Sequence, residues 1–533
     1  MQLIQFKKFN TKNMNILFII FLIGLAFIGI NTYQDYGISW DETFQREHAY
    51  TSLGFVADLL NIEHPYKNLI EPLSTYKHNS YGVAFTAPLA VIEYIFNIKD
   101  TQDMFFMRHL ATHFFFLLSM IPMYLMAKKR FNGYLAILAV LFMVISPRIY
   151  ANSFYNIKDL VFLSSYLFAS YTAIRFILSP SLLSSFLAAF FNAYAVDIRI
   201  TAVIIPVLLI VFFGIRFFKN EIEKKDLTYL LNYIFLLIFF IILMWPALWL
   251  SPINNFIDSF QKMADYPWEG SVLYMGQIIK ATNLPWHYIL VWVGITTPIF
   301  YLVIFLIGFI NITILLAINH IRLWKNDNEL QDYLFFSLFF VPLGAVIYLN
   351  SVLYDGWRHM YFIYPFFILI ALNGLNRIFE FKTKIFKLML LIFAIHAIFS
   401  TIFWMYKYHP MGNVYFNILA GENIHKNYEV DYYGLSNRKA LEYILANDDA
   451  PNIIVSKISF TPENRSKYII DKMDRERLIF IEDYNQADYV INNYRYLPLD
   501  FDSSSLENFK KVVEFKTDKT VVLEIYKKFQ LEE

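Results

Sequence analysis

Met14-Asn15-Ile16-Leu17-Phe18-Ile19-Ile20-Phe21-Leu22-Ile23-Gly24-Leu25-Ala26-Phe27-Ile28-Gly29-Ile30 carries no charge and follows Lys7, Lys8 and Lys12. A long apolar run behind a basic flank fits a membrane helix, because about 20 apolar residues match the hydrocarbon thickness of a bilayer. The same run has the n- and h-regions of a signal peptide. It lacks a small-residue cleavage site, and many further apolar runs follow, so it reads as a retained anchor.

Comparable runs recur at 105–127, 131–147, 160–174, 182–196, 200–215, 229–250, 289–318, 333–353, 360–376 and 388–406. Composition agrees: 57% of the 533 residues are hydrophobic and 17% charged. With mean hydropathy +0.42, a soluble globule would lack the polar surface to clothe itself. The lipid bilayer is the expected solvent. A net charge of +1 gives no field to gather nucleic acid. The absence of cysteine excludes disulfides, thiolate metal sites and thiol nucleophiles.

Lys/Arg clusters fix the orientation. The run 81–97 is interrupted by Pro88 and Glu93; if it crossed, Lys128, Lys129 and Arg130 would lie opposite Lys7, Lys8 and Lys12. Basic clusters gather on the cytoplasmic side, so this run is expected to be a juxtamembrane or re-entrant helix that does not cross. That leaves eleven spans, roughly one per apolar run, with the N-terminus inside and the C-terminus outside. Trp245, Trp249, Trp286, Trp357 and Trp404 then fall near outer ends of spans, where amphipathic rings settle.

Beyond Tyr406 the sequence turns polar. Residues 407–533 hold short β-type runs at 452–456, 478–482, 489–492, 512–515 and 521–526. Ser436 precedes a helical stretch, and 516–520 reads as a hairpin turn. The expected organisation is a membrane domain, 1–406, and a small extracytoplasmic α/β domain, 407–533. No internal repeat is visible.

Polar chemistry collects in the outside loops. Ser39-Trp40-Asp41-Glu42-Thr43 places paired carboxylates just beyond the first span, as a general base, hard-cation ligands or a solvated turn. Asn156-Ile157-Lys158-Asp159 sets Asp159 at a membrane mouth. Asp197 and Arg199 sit between two apolar runs, either as functional charges or as a pair stapling a hairpin. In Tyr354-Asp355-Gly356-Trp357-Arg358-His359, Arg358 and His359 are suited to phosphate at headgroup level, or to interfacial snorkelling. His109 and His113, four apart, are too few for a metal site by themselves.

As an ordered set, Trp40-Asp41-Glu42, Pro147-Arg148 with Asn156-Ile157-Lys158-Asp159, Trp245-Pro246-Ala247-Leu248-Trp249, and Tyr354-Asp355-Gly356-Trp357-Arg358-His359 resemble bacterial members of the protein O-mannosyltransferase and aminoarabinose transferase superfamily. His409-Pro410, Tyr415-Phe416-Asn417 and Asp431-Tyr432-Tyr433-Gly434 extend the likeness into the tail. These are GT-C fold glycosyltransferases of the glycosyltransferase family 39 type.

The resemblance implies a polytopic α-helical GT-C membrane protein of a bacterial inner membrane. It implies a polyprenyl-phosphate-linked sugar as donor and an acceptor hydroxyl of a glycolipid, glycan or protein, attacked on the periplasmic side with inversion. The family's acidic residues fall on Asp41, with Glu42 beside it, and on Asp159; its paired cation falls on Arg199. Lys77 in Tyr76-Lys77-His78-Asn79 stands near the usual Lys-Pro-Pro. The customary Asn-Pro-Lys-Asp has Ile157 for proline, and Tyr433 replaces a frequent tryptophan.

The chemistry asks for the same residues. A lipid phosphate is already a leaving group, so the protein need only deprotonate or orient a hydroxyl and neutralise the departing phosphate. Asp41 suits the first task; Arg199, Arg358, Lys77 and His359 suit the second. No metal cofactor is expected, although Asp41, Glu42 and Asp159 are the oxygen donors a divalent cation would use. The rival readings are a lipid-linked sugar transporter or flippase, which would favour repeats and charges deep in helices, and a non-catalytic envelope assembly protein.

Overall fold

The computed structural model describes residues 11–64, 71–76, 79–264, 268–380, 384–497, 506 and 508–529. Among them, nine helices are long and apolar enough to cross a bilayer. The chain is a multi-pass membrane protein. The run 131–147 becomes two helices, Gly133–Val144 and Pro147–Tyr155, bent by 66°; counted as one span they make a tenth. Proline lacks the N–H that would continue a helix but suits the first turn of a new one, so the break falls at Pro147. Leu182–Ile198 has 17 residues, about 26 Å of helix, short of the hydrocarbon core. Thr86–Ile95 has only 10, the length of a helix that lies against a bundle. The run 289–318 also divides, at Pro298, into Tyr288–Thr296 and Ile299–Asn319.

The least hydrophobic spans are the most deeply enclosed. Asp159–Leu178 and Arg358–Glu380 have hydropathy 1.5 and are 83% buried, whereas Asp226–Met244 and Lys387–Lys407, at 2.5 and 2.2, are 11% and 6% buried. Lipid is as apolar as leucine, so purely apolar helices gain nothing by moving inward, while helices carrying polar groups must find protein partners. The closest crossing uses glycine on both sides. A Cβ at Gly308 would lie 1.9 Å from the Ile370 carbonyl oxygen, and one at Gly374 2.1 Å from that of Ile304.

Polar contacts define the two ends of the bundle. The Tyr124 hydroxyl and Lys128 Nζ donate to Asn15 Oδ1 at 2.9 and 2.7 Å, setting Lys128–Arg130 beside the start of the first helix, Thr11–Thr32. At the other end, the tail lies against the loops. Arg438 donates to the Tyr36 carbonyl at 3.0 Å, and Arg475 pairs with Asp100.

Two sheets occupy that end. A hairpin of β1 (Ser271–Tyr274) and β2 (Gln277–Lys280) interrupts the loop before Tyr288. The tail forms a five-stranded sheet from β3 (Ile453–Lys457), β4 (Leu478–Phe480), β5 (Tyr489–Asn492), β6 (Phe509–Thr517) and β7 (Thr520–Lys528), in the order β4-β3-β5-β7-β6. β3 runs parallel to β4 and β5; the other pairings are antiparallel. Ala440, Leu441 and Ile444 of the helix Asn437–Asn447 share one face, as helical spacing requires, and cover Val455, Leu523 and Ile525.

The tryptophans divide. Trp286 is exposed, but Trp245 and Trp357 are buried inside the protein. The Trp357 indole donates to Thr296 Oγ1 at 2.9 Å. Their expected interfacial position gives way to a packing role: Trp245 lies with Leu73, Ile200 and Leu248, and Trp357 lies against Tyr361 and Tyr364.

Candidate active site

Four loops and the tail meet around a cavity of about 770 Å³. Asp41 reaches it from the first turn of the helix Trp40–Leu59. Its Oδ2 accepts from Arg358 Nη1 at 2.8 Å, its side chain is 22% exposed, and its Oδ1 accepts no hydrogen bond from the described residues.

Glu42 needs correction as a catalytic partner of Asp41. One position further round the helix, it faces the protein interior: Oε2 accepts from the Ser39 backbone N–H at 2.7 Å, and Oε1 meets His109 Nε2 at 2.9 Å. A carboxylate three residues after the N-cap that returns to its N–H closes the first turn, where the helix has unsatisfied donors. Ser39 Oγ in turn donates to the Tyr155 carbonyl at 2.9 Å. His113 contacts Ser153 Oγ at 2.8 Å, so the two histidines hold separate partners.

Asp159 starts the most buried helix and is itself 1% exposed. Arg199 Nη2 lies 2.8 Å from Oδ1 and Arg358 Nη1 2.9 Å from Oδ2. Its backbone N–H donates to Asn156 Oδ1 at 2.8 Å. Asp159 lies behind the cations rather than on the cavity wall; Lys158, Arg199, Arg358 and His359 are on the wall. The Lys158 ammonium stands 3.6 Å from the centroid of Tyr81. His359 meets the edge of Tyr354 at 4.6 Å. Lys77 lies outside the described residues.

Asp197 does not pair with Arg199. It turns to the preceding loop, accepting from the Ala84 N–H at 2.8 Å, while its carbonyl accepts from the Gly82 N–H at 2.9 Å. A Cβ at Gly82 would fall 1.7 Å from the Asp197 carboxylate. This clasp leaves Arg199 available to Asp159.

Asp355 and Tyr433, which the sequence reading quoted within motifs without a role, and Arg495 and Glu429, which it did not single out, complete the charge network. Asp355 touches Arg358 at 3.2 Å and Arg495 Nη2 at 2.7 Å. Arg495 also donates to the Tyr432 carbonyl. The Tyr433 hydroxyl lies 3.3 Å from Arg358 Nη1 and 3.4 Å from Asp159 Oδ2. Burial opposes the charge of Arg495, yet Asp355 outweighs it and holds the guanidinium more firmly protonated than usual. Burial, reinforced by Asp355, pushes the Glu429 carboxyl up to about 8. Glu429 and Arg495 also border the cavity.

Other motif residues serve as fasteners. Arg148 donates from Nε to the Tyr415 carbonyl at 2.9 Å and lies against the rings of Phe416 and Trp292, at 4.5 and 5.5 Å. Asn417 donates to the carbonyls of Gly294 and Thr297, both at 2.6 Å. Asp431 accepts from the Ser436 N–H at 2.7 Å and from Asn413 Nδ2 at 3.0 Å.

Comparison with known proteins bears out the resemblance within the membrane region. Residues 89–245, which include Asp159 and Arg199, match the family model described as Dolichyl-phosphate-mannose-protein mannosyltransferase. Among solved structures, the chain is similar to ArnT from Cupriavidus metallidurans in the apo state, at 11% identity over 96% of this chain and 98% of that one, with a TM-score of 0.47. It is also similar to the same protein bound to undecaprenyl phosphate, at 11% identity over 96% and 97%, with a TM-score of 0.44. None of the curated proteins matches the sequence.

Proposed function

We propose that the protein transfers a sugar from a polyprenyl-phosphate donor to an acceptor hydroxyl at the outer face of a bacterial inner membrane, with inversion at the anomeric carbon. The observation that carries this reading is Asp41 with a free carboxylate oxygen on the same cavity wall as Arg199 and Arg358. The hydroxyl proton passes to Asp41 as the acceptor oxygen bonds to the anomeric carbon. The bond from that carbon to the phosphate oxygen breaks, and its electron pair leaves with polyprenyl phosphate. Arg199, Arg358, Lys158 and His359 border the place where that negative charge grows. Asp159, beneath both guanidiniums, is a positioning residue.

The donor's tail must remain in lipid while its head meets cations, which a site at the end of a bundle permits. Guanidinium groups already compensate Asp41 and Asp159, so transfer is expected to survive EDTA. Loss of activity with rescue by Mg²⁺ or Mn²⁺ would reverse that expectation. Cysteines introduced at Lys129 and Asn452 should label from inside and outside respectively with an impermeant maleimide.

Purified protein given a polyprenyl-phosphate sugar and crude envelope acceptors should release polyprenyl phosphate. Arg199→Ala should weaken use of the donor, and Arg199→Lys should restore it only in part, since a point charge replaces a planar fork. Movement of intact lipid-linked sugar across liposomes without cleavage would replace this reading with transport.

A further inference from the structure

Part of the cavity wall is aromatic, and two separate parts of the chain build it. Trp40 and Phe44 come from the helix that carries Asp41; Phe460 and Tyr496 come from the tail. Phe460 stacks on Trp40 with centroids 5.5 Å apart and planes 16° from parallel, and Tyr496 lies 5.6 Å from Phe460 at a tilt of 44°, its own ring carrying the Arg495 guanidinium at 4.8 Å. The Phe460 N–H donates to the Arg495 carbonyl at 3.0 Å, fixing the ring beside the charged centre. Arg465 locks the two halves by donating to the Trp40 carbonyl at 3.2 Å and to Thr43 Oγ1 at 2.9 Å.

This shelf remains open. Phe460 is 55% exposed and Tyr496 38%. Both belong to the tail and border the same cavity as Asp41. The shelf also carries a polar group suited to a hydroxylated ligand. Gln45, four residues beyond Asp41 and therefore on its helix face, borders the cavity and makes no hydrogen bond to any described residue.

We propose that this shelf is the acceptor subsite and that it receives a saccharide: a pyranose ring lies on Phe460 and Tyr496 and presents a hydroxyl to Asp41. The inference rests on the glycosyl-transfer reading and specifies its acceptor. One face of a pyranose is a patch of C–H bonds with slight positive charge, which complements the negative face of an aromatic ring. Its rim is a ring of hydroxyls, each both donor and acceptor, which an amide such as Gln45 can meet in either sense. An extended peptide would instead need a row of backbone partners or a sheet edge; the β1–β2 hairpin borders the same cavity, so a peptide is the competing occupant that the test separates.

The test uses the full-length protein in lipid nanodiscs and two probes. One is the glycan pool released by mild acid from envelopes of cells that make the protein; the other is a pool of Ser/Thr-containing peptides. Saturation-transfer NMR with irradiation of aromatic protons should carry signal to glycan ring C–H protons and none to the peptides. Phe460→Ala should cut the glycan signal about fivefold, the scale of one lost aromatic contact, and Phe460→Tyr should retain it. Absence of glycan signal, a signal indifferent to Phe460→Ala and Tyr496→Ala, or a peptide signal that Phe460→Ala removes would each overturn the proposal. Release of polyprenyl phosphate by the unsubstituted protein tests the transfer chemistry separately. Release without shelf contact defeats this inference alone, and shelf contact without release defeats the transfer reading.

Discussion

One nitrogen of Arg358, Nη1, reaches both Asp41 Oδ2 and Asp159 Oδ2, at 2.8 and 2.9 Å. The two carboxylates differ in setting: Asp159 is fully enclosed and Asp41 borders the cavity with one oxygen free. Arg358 therefore ties the carboxylate that faces the cavity to the one enclosed behind it.

Asp41→Asn should abolish transfer and leave thermal stability nearly unchanged. The amide keeps the shape and loses the basicity, and the ion pair it weakens is partly solvated, so its loss costs about 1 kcal/mol at most. Polyprenyl-phosphate release and a melting curve measured on the same preparation check both halves. Substantial residual turnover would remove Asp41 from the base role.

Glu42→Ala should behave in the opposite way. It removes the acceptor for the Ser39 N–H and leaves His109 Nε2 buried without its partner, a loss of about 1–3 kcal/mol in stability. Surviving protein should keep its affinity for donor. A large fall in kcat with an unchanged melting temperature would return Glu42 to the chemistry.

Arg495→Ala should loosen the tail. Its loss leaves Asp355 with Arg358 alone, a cation already shared with Asp41 and Asp159, so the cost falls below the roughly 3–5 kcal/mol of a fully orphaned buried charge. Limited proteolysis should then cut between the membrane region and the tail, and transfer should fall with it. An unaltered digestion pattern together with full activity would show that Asp355 and Arg358 need no help from the tail.

Glu429 gives the pH prediction. Its folded-state pKa lies above its unfolded value, so its neutral form favours the fold; that contribution is full below the unfolded pKa and is lost as pH rises through about 8. Thermal stability should therefore decline as pH rises from the ordinary glutamate range to about 8 and level off above it, and Glu429→Gln should flatten the decline. The same slope in both proteins would assign it to other groups.

How much of this was legible in the sequence differs by scale. Apolar runs announce spans because lipid imposes one length on every crossing helix, and the basic cluster 128–130 does lie at the end opposite the tail. The bend at Pro147 and the 17-residue Leu182–Ile198 escaped a count of apolar runs, since a run of that kind is the same whether straight, broken or buried. Asp41, Asp159, Arg199 and Arg358 stood out because charges beside hydrocarbon-length helices are costly, and the structure gathers all four. Glu42 looked equivalent to its neighbour until the helix started between Ser39 and Trp40 and turned the two side chains to different faces. The pairing of Asp355 with Arg495 left no local trace, for it spans separate parts of the chain and depends on how the tail docks.

That docking also sets the order of events during synthesis. Asp355 and Arg358 enter the bilayer region well before Arg495 and Tyr433 have left the ribosome. Until the tail has folded against the loops, the nascent chain holds a charge cluster that lacks Arg495 and the far half of its aromatic shelf. The centre is thus completed from the C-terminal side, after the helices of the membrane bundle have been made.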